Sequence, residues 1–600
     1  GEASKLCSVV GEASKLCSND ISNFRTGDIV ILYPYAEGTE PDARRTMVHR
    51  ATIADIEEDR IILNLRTQQV NSNVFWHSSR PSPHTPHPSQ KWAIEHDFFE
   101  SSFASLYRGM HAFLSAPKER RDLLLMQRPP RIDTTVSLKG DYGSFNELSL
   151  RVKQAQDFFL IIGPPGTGKT SYGLMNTLRE ELLTGGTVLL LSYTNRAIDE
   201  ICSKLVEASI DFIRIGGRFS CDERYRPYLL DTLVEQCRNV ADLRRLVALT
   251  RVFVGTTTAF NSCIGFFRQK QFSLAIIDEA SQILEPHLIG LLSACTDTGA
   301  PAIRRFIFIG DHKQLPAVVQ QKEDDSKVSD PLLNAIGLTN CRLSLFERLP
   351  KRYRHDPAVV YMLTRQGRMH PDIAAFPNHE FYQDKLLEVP LTHQTCPQPP
   401  LASHPSPQND IDRLLATRRI AFIAVEPPKE PASDKVNTNE ARAIAATIER
   451  IYSLTSHHSP LTSCFDSSDT VGVIVPYRNQ IAEVRRALEQ TGIAVLRDIT
   501  IDTVERFQGS QRQYILYGFT IQRPYQIDFL TSNTFEEDGS IIDRKLNVAM
   551  TRAREGLFLF GNPALLESAI TFRRLIDFTR QRNSFFAPTL DNFLSGHFTL

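Results

Sequence analysis

The chain has 600 residues, of which 42% are hydrophobic, 23% charged and 9% aromatic. This ordinary globular composition excludes a disordered, collagen-like or coiled-coil protein, and the length suits about four domains. Lys and Arg number 68 against 69 acidic residues, a net charge of −1. Nucleic-acid binding stays open, because a polyanion needs only a local basic groove. No apolar run reaches the roughly eighteen residues that span a membrane.

The N-terminal quarter divides into four segments. Residues 1–20 contain the octapeptide GEASKLCS twice and are expected to be disordered. Residues 21–76 alternate β-branched residues with turn formers, which predicts a β-barrel-like accessory domain. Residues 77–90 are rich in Pro, His and Ser and predict a loop. Residues 91–140 are expected to form a helical stalk, because residues 91–128 have a helical pattern with apolar residues at Phe98, Phe103, Leu106, Met110 and Phe113.

Two series of short apolar runs follow, and each alternates with amphipathic segments. Near-continuous apolar runs are typical of buried parallel strands. The pattern therefore predicts an α/β fold with two tandem RecA-like, doubly wound parallel-sheet lobes, at 141–350 and 351–600, and a Pro-rich insertion at 390–408. The first series is FFLIIG, TVLLLSY, RVFVGTT, LAIIDEA and RFIFIG; the second is RRIAFIAV, TVGVIVPY, YILYGFT and LFLFGN.

A complete phosphate-binding loop joins the first of these runs to a helix. Its backbone N–H groups and the following helix N-terminus suit phosphate oxygens. We expect Lys169 to reach the β- and γ-phosphates of ATP and the Thr170 hydroxyl to bind Mg²⁺. The candidate nucleotide-binding residues are Gly163, Pro164, Pro165, Gly166, Thr167, Gly168, Lys169 and Thr170.

Two carboxylates end the apolar run LAII. Asp278 is predicted to hold Mg²⁺ and Glu279 to deprotonate the attacking water, so ATP hydrolysis is favoured over phosphoryl transfer to a small molecule. A phosphate loop alone would not distinguish a kinase, a GTPase and a motor.

From the phosphate loop to residue 562 the chain resembles the superfamily 1 helicases. The shared motifs come in the family order: SYTN at 192–195, GTT at 255–257, GDHKQLP at 310–316, QGRMHP at 366–371, PYRNQ at 476–480, TVERFQG at 503–509 and NVAMTRAR at 547–554. The wording DEAS, RMHP and NVAMTRAR is similar to the type B branch, which moves 5′ to 3′. That branch includes the nonsense-mediated-decay RNA helicase and the replication nuclease-helicase.

The resemblance implies roles for particular residues. Gln314 would sense the γ-phosphate, Arg368 and Arg552 would act as arginine fingers from the second lobe, and Gly509 would lie near the nucleotide. Single-stranded nucleic acid would be contacted by Ser192, Thr194, Asn195, Thr256, Thr257, Thr503 and Gln508. The sequence departs from the family pattern at Asn146, Gly367 and Gln511, where the family has a glutamine, an aromatic residue and an acidic residue.

The sequence therefore predicts an ATP- and Mg²⁺-dependent 5′-to-3′ helicase or translocase on single-stranded nucleic acid, with DNA repair or replication as its setting. DNA and RNA stay open as substrates, as does an ATP-gated clamp that binds without unwinding. There is no starting Met, so the natural chain is expected to extend upstream, and the resemblance to the replication nuclease-helicase implies a nuclease domain as a possible partner there. Ten scattered cysteines without a C-x-x-C pair suggest an intracellular protein, cytoplasmic or nucleoid-associated, or nuclear in a eukaryote.

Overall fold

The computed structural model describes residues 24, 28–36, 38–56, 60–66, 90–97, 102–319, 321–403, 407–431, 433–456 and 465–599. The octapeptide repeat and nearly all of the predicted loop at 77–90 lie outside these residues. The described residues divide into two units. One comprises the residues up to 105 together with 217–223, and the other comprises 106–216 together with 224–600.

The first unit contains an antiparallel sheet, as its alternating sequence predicts. The strands are β1 (Ile29–Ala36), β2 (His49–Ile56), β3 (Ile61–Leu65) and β4 (Gln90–His96). They pair in the order β3-β2-β1-β4 among the described residues. Buried Val30, Ala51 and Ile53 form its small core.

The predicted helix starting at residue 91 is wrong over its first six residues. Trp92 and Ile94 alternate with Lys91 and Glu95, and β4 pairs with β1 over its whole length. The two-residue period that a strand requires was present there, but the clear helical spacing begins only downstream. Helices do follow, as α1 (Ser102–Ser115) and α2 (Lys118–Leu124).

The second unit contains the two predicted parallel sheets. The strands of the first are β5 (Phe158–Ile162), β6 (Val188–Ser192), β7 (Ile213–Ile215), β8 (Val252–Thr256), β9 (Phe272–Ile277), β10 (Ile303–Gly310) and β11 (Val360–Met362). In the described chain their order is β11-β5-β10-β9-β6-β8-β7, and every pairing is parallel. Successive residues of β5, such as Phe159 and Leu160, are all but inaccessible, so both faces of this strand are covered.

Strand β11 moves the boundary between the lobes. The predicted boundary at 350 would give Val360–Met362 to the second lobe, yet these residues pair in parallel with Leu160–Ile162 of β5. A three-residue strand carries too little periodicity to be recognised from sequence. The first lobe therefore extends to residue 362.

The second sheet repeats this plan. Its strands are β14 (Ile420–Ala424), β15 (Val471–Ile474), β16 (Thr500–Asp502), β17 (Arg512–Gly518), β20 (Ala553–Gly561) and β21 (Phe585–Phe586), after the short pair β12 (Arg365–Gln366) and β13 (Leu387–Glu388). Parallel pairing gives the order β16-β15-β17-β20-β14-β21 in the part of the chain that is described. Phe422 and Ile423 of β14 belong to cores on opposite faces. A hairpin, β18 (Thr534–Glu537) and β19 (Ser540–Asp543), stands outside the sheet.

Helices connect the strands of both lobes. In the first lobe they are α3 (Asn146–Gln154), α4 (Met175–Leu183), α5 (Asn195–Glu207), α6 (Leu230–Glu235), α7 (Val240–Leu249), α8 (Thr257–Ser262), α9 (Glu285–Leu292), α10 (Pro331–Ala335), α11 (Leu345–Arg348) and α12 (Pro350–Tyr353). In the second they are α13 (Pro371–Tyr382), α14 (Thr392–Thr395), α15 (Asp410–Thr417), α16 (Thr438–Ser456), α17 (Arg478–Glu489), α18 (Val504–Phe507), α19 (Gln526–Leu530), α20 (Arg544–Met550), α21 (Pro563–Leu566), α22 (Ile570–Gln581) and α23 (Leu590–Ser595). No helix of the described chain has the length and apolar character that crossing a membrane requires.

Candidate nucleotide site and nucleic-acid interface

Two positions of the phosphate loop have a backbone conformation that favours glycine. Gly166 and Gly168 have φ angles of +75° and +78°, a region that side chains disfavour. A Cβ built on Gly166 would overlap Arg368, and one built on Gly168 would overlap the Tyr172 ring. The loop is tied to the sheet by the Gly163 N–H, which donates to the Gly310 carbonyl at 2.9 Å.

The helix after the loop begins at Lys169 with a turn of π type over Lys169–Leu174 and continues as α4. Inside the loop, the buried Thr167 hydroxyl donates to the Pro164 carbonyl at 2.7 Å. The predicted phosphate loop is therefore present as a strand, a loop and a helix N-terminus, which is the arrangement that phosphate binding requires.

The two predicted carboxylates lie where β9 ends, directly beside the loop. The Thr170 hydroxyl donates to Asp278 Oδ2 at 2.9 Å, and Lys169 Nζ lies 3.5 Å from Glu279 Oε1. Glu279 adopts a left-handed backbone, with φ +52°. Burial and the charge of Glu279 raise the pKa of Asp278 above its usual range, against the effects of Lys169 and Thr170.

This pair of oxygen donors fits Mg²⁺. Asp278 is only 3% exposed. A cation bound by Thr170 and Asp278 would offset the cost of burying the negative charge of the Asp278 carboxylate. Mg²⁺ is commonly bound through one or two protein oxygens together with substrate phosphates. Accordingly, the described residues contain no group of three or more metal-ligating side chains that would form an all-protein metal cage.

Gln314 follows β10 and links the two lobes. Its Nε2 donates to Asp311 Oδ2 at 2.9 Å, and its Oε1 accepts from Arg552 Nη2 at 3.3 Å. Both Gln314 and Arg552 are buried, at 3% and 2% exposure. The predicted γ-phosphate sensor and the predicted arginine finger are thus in direct contact.

Both predicted arginine fingers are held by neutral oxygens. Arg552 Nε donates to the Val548 carbonyl at 3.0 Å and its Nη1 to the Ser510 carbonyl at 3.3 Å. Arg368 Nε donates to Gln511 Oε1 at 2.8 Å. Burial lowers the pKa of Arg552 to about 9, helped by repulsion from Arg368, and burial lowers the pKa of Arg368 to about 10. Both groups would gain from an anion between the lobes.

The hydroxyl of Tyr382, a residue outside the sequence motifs, stabilises this arrangement. Tyr382, the last residue of α13, is buried and donates to Asp311 Oδ2 at 2.7 Å. Its oxygen accepts from Asn547 Nδ2 at 2.8 Å, and the same amide donates to the Lys313 carbonyl at 2.7 Å. Tyr382 therefore connects the loop that carries Gln314 with the helix that precedes Arg552.

The β18–β19 hairpin makes a second connection between the lobes. Glu537 lies 2.9 Å from His312 Nε2 and 2.7 Å from Lys313 Nζ. Asp538 forms an ion pair with Arg354 at 3.0 Å. Burial raises the pKa of Glu537, but the hydrogen bonds and charges of His312 and Lys313 outweigh it and lower that pKa well below its usual range. The D-G turn between alternating residues in FEEDGSII was a hairpin signal available in the sequence.

The residues predicted to contact nucleic acid are only partly accessible. Ser192 and Thr257 are fully buried, so their side chains are not exposed to a strand, and their contact with nucleic acid stays a prediction. The Thr194 and Thr256 hydroxyls cap helices α5 and α8. Asn195 is exposed at the start of α5, and Thr503 and Gln508 are partly buried beside α18.

A main-chain contact also joins the lobes at the phosphate loop. The Gly367 N–H donates to the Gly166 carbonyl at 2.9 Å, next to Arg368. Gly509 lies just after α18 with φ +82°. On the outer side, Arg196 of α5 reaches the Arg506 carbonyl at 3.3 Å, so the helices that carry the SYTN and TVERFQG motifs face each other across the cleft.

The other departures from the family pattern have structural partners of their own. Asn146 Oδ1 accepts from the Tyr142 N–H at 2.7 Å, and its Nδ2 donates to Asp141 Oδ1 at 2.8 Å. Gln511 uses its amide oxygen to hold Arg368. Both side chains therefore stabilise the site's surroundings.

Known protein families and individual proteins are similar to this chain over both lobes. Two family profiles, each described as an AAA domain, match residues 341–564 and residues 146–248 with 247–322. The chain is 28% identical over 581 residues to the DNA replication ATP-dependent helicase/nuclease JHS1 of Arabidopsis thaliana. This alignment covers 93% of this chain and 39% of that protein. It is 30% identical over 472 residues to the DNA replication ATP-dependent helicase/nuclease DNA2 of Mus musculus, covering 72% of this chain and 38% of that protein.

The chain thus spans about two fifths of the length of these relatives. Among solved structures, an arterivirus nonstructural protein 10 helicase with DNA aligns over 67% of this chain at 13% identity, with a TM-score of 0.33. A likeness this weak carries no functional argument.

The two parallel sheets, the phosphate loop at the cleft between the lobes and the two AAA-domain matches define the class: a two-lobed AAA-domain protein with a nucleotide site. The chain carries two AAA domains, and it is homologous to the helicase region of the DNA2 and JHS1 proteins.

Proposed function

We propose that the chain is an ATP-dependent helicase or translocase that moves 5′ to 3′ along single-stranded DNA in replication or repair. The observation that carries the proposal is the contact between Gln314 of the first lobe and Arg552 of the second, beside Lys169 and Glu279. A site assembled from two lobes can couple hydrolysis to their relative movement. The names of the relatives, which describe DNA replication helicase/nucleases, favour DNA over RNA.

The chemistry follows from where charge develops. In phosphoryl transfer to water, negative charge spreads over the equatorial oxygens of the γ-phosphate. Lys169, Arg368 and Arg552 would stabilise that charge from three directions, because their cationic groups face one cleft. Glu279 would accept the proton of the attacking water. Mg²⁺, held by Thr170 and Asp278, would supply further positive charge.

The energy of hydrolysis would reach the strand through the loop of Gln314. This residue contacts Arg552, and the neighbouring Lys313 carbonyl and Asp311 carboxylate are bonded to second-lobe groups. Loss of the γ-phosphate would change what Arg552 and Gln314 bind, and so the distance between the lobes. The exposed Asn195 of one lobe and Gln508 of the other would then hold the strand alternately.

The test is an ATPase assay with and without single-stranded DNA, run beside unwinding of duplexes with a 5′ or a 3′ tail. We expect DNA to stimulate hydrolysis and only the 5′-tailed duplex to unwind, with binding that weakens steeply as salt rises. Glu279→Gln is the matched control, because it should bind ATP and DNA yet fail to unwind.

Each alternative has its own outcome. Stimulation by RNA alone would favour an RNA helicase. Stimulated hydrolysis without movement on any substrate would favour an ATP-gated clamp. Equal unwinding from a 3′ tail would contradict the type B direction and leave the motor intact.

A further inference from the structure

An aromatic pair, one exposed and one partly buried, lies against the phosphate loop. The rings of Phe145 and Tyr172 stack with centroids 4.6 Å apart and an interplanar angle of 11°. Tyr172 belongs to the first turn of the helix after the loop, and half of its surface is exposed. Its ring lies so close to Gly168 that a Cβ there would overlap it. Phe145 therefore covers one face of the Tyr172 ring, and Tyr172 still presents a large apolar area to solvent.

The direction of a bound triphosphate places its nucleoside near this pair. The γ-phosphate end belongs beside Lys169, Glu279 and Arg552, where the cations and the water-activating carboxylate meet. Loop amides hold the α- and β-phosphates across the helix N-terminus. We therefore expect the ribose and base to lie beside the first turn of that helix. Tyr172 lies in that turn, three residues after Lys169.

Two polar groups close to the pair in sequence, the Asn146 amide and the Tyr142 hydroxyl, are engaged elsewhere. Asn146 bonds to the Tyr142 N–H and to Asp141, and the Tyr142 hydroxyl donates to Glu180 at 2.8 Å. Position 367, on the opposite lobe, has no side chain to offer and lies against Leu391. An aromatic face accepts any base, because every base has a π-face, whereas strong discrimination needs hydrogen bonds to the base edge.

We propose that the nucleobase of the substrate stacks on Tyr172, backed by Phe145, and that recognition through the ring face makes the motor accept purine and pyrimidine triphosphates alike. This rests on the proposed function, since it names the substrate class of the same nucleotide site. It assigns a binding residue that none of the helicase motifs contains.

The experiment measures DNA-stimulated hydrolysis of ATP, GTP, CTP and UTP by wild type, Tyr172→Phe, Tyr172→Leu and Tyr172→Ala. We expect the wild-type kcat/KM values to agree within about tenfold. Tyr172→Phe should keep the wild-type KM. Tyr172→Leu, which keeps apolar contact with Phe145 but lacks a ring, and Tyr172→Ala should raise KM for all four by about 5- to 100-fold with little change in kcat. Inorganic tripolyphosphate, which has no base, should inhibit all variants equally.

A direct probe avoids dependence on turnover. In Tyr172→Trp, ADP and CDP should quench the new tryptophan and tripolyphosphate should not; wild type, with Trp76 and Trp92 only, gives the background. An unchanged KM in Tyr172→Leu, or an ATP preference above about 100-fold, would overturn the proposal. Its failure differs from failure of the proposed function: in the first case DNA still stimulates the wild type, and in the second it does not.

Discussion

The two faces of the nucleotide cleft differ in how their charges are balanced. On the first-lobe face, Lys169 lies 3.5 Å from Glu279, and the Thr170 hydroxyl is bonded to Asp278. On the second-lobe face, Arg368 and Arg552 donate to carbonyl and amide oxygens, and among the described residues no carboxylate lies within ion-pair distance of either guanidinium. The first face is internally compensated, and the second holds positive charge ready for an anion that arrives from outside.

This difference assigns binding and catalysis to different faces. A face whose groups are already paired can hold phosphates in the ground state through its loop amides and one lysine. A face with unpaired guanidiniums gains most when negative charge is greatest, which is in the transition state. The predictions below test that division.

The largest effect is expected from the first face. Lys169→Ala should reduce ATP binding below detection, because the loop loses its only side-chain cation and Glu279 loses its ion pair with Lys169. Fluorescent-nucleotide titration measures this, and a circular dichroism melt checks folding. Binding within tenfold of wild type would show that the loop amides and the second face suffice.

Arg552→Ala should separate the two faces most clearly. We expect kcat to fall by about 10³-fold or more, the scale of a lost arginine finger, while the ATP dissociation constant changes far less. Arg552→Lys should not restore turnover, because an ammonium cannot reproduce the forked guanidinium contact. Parallel loss of ATP affinity, DNA binding and melting temperature would instead make Arg552 a structural residue of the second lobe.

Tyr382→Phe tests the brace between the faces. Removing one hydroxyl leaves the buried Asp311 and Asn547 short of a partner, which should cost about 1–3 kcal/mol of unfolding free energy. DNA stimulation of the ATPase should fall more than ATP affinity does. The matched control is Tyr353→Phe, which removes a buried hydroxyl with no hydrogen-bond partner. Equal effects of the two substitutions would contradict the brace.

The smallest effect is expected from the hairpin. Glu537→Gln should cost about 1 kcal/mol, since its ion pairs with His312 and Lys313 are only partly buried. Because the folded-state pKa of Glu537 is lowered, its contribution is present above the ordinary glutamate pKa of about 4.3 and is lost as the pH falls below it. Denaturant titrations at pH 7 and pH 3.5 measure both statements, with the exposed neighbour in Glu536→Gln as the control. A larger loss at pH 3.5 would reverse the sign.

The first face could be predicted from short stretches of sequence. Gly163–Thr170 and Asp278–Glu279 each follow an apolar strand, and parallel strands deliver their carboxyl ends to one edge. Prediction from local sequence patterns was wrong or impossible where a strand is short or its pattern is weak. Residues 91–96, which belong to the strand Gln90–His96, are predicted as helix from the sequence, and Val360–Met362 has too few residues to show its place in the first sheet.

The brace between the faces was beyond local reasoning. Tyr382 comes 71 residues after Asp311 and 165 before Asn547, so no spacing in the sequence connects the three. A tyrosine at the end of an amphipathic helix is most often a core residue. The burial of Ser192 and Thr257 could not be predicted from the sequence either, because a motif specifies residue types and not the residues that pack over them.

The loop that joins these regions can serve as a reporter. His312, Lys313 and Gln314 are consecutive, yet they contact Glu537, Phe381 and Arg552 respectively. The three residues are joined by planar peptide groups, so we expect a displacement of Gln314 to be passed in part to Lys313 and His312. The contact of His312 with Glu537 would then change the spacing between the hairpin tip and the end of helix α12. A fluorophore attached at Asp538 and a contact quencher attached at His355, next to the Arg354 that pairs with Asp538, would read the nucleotide state as a change in quenching, cycle by cycle, on a single molecule.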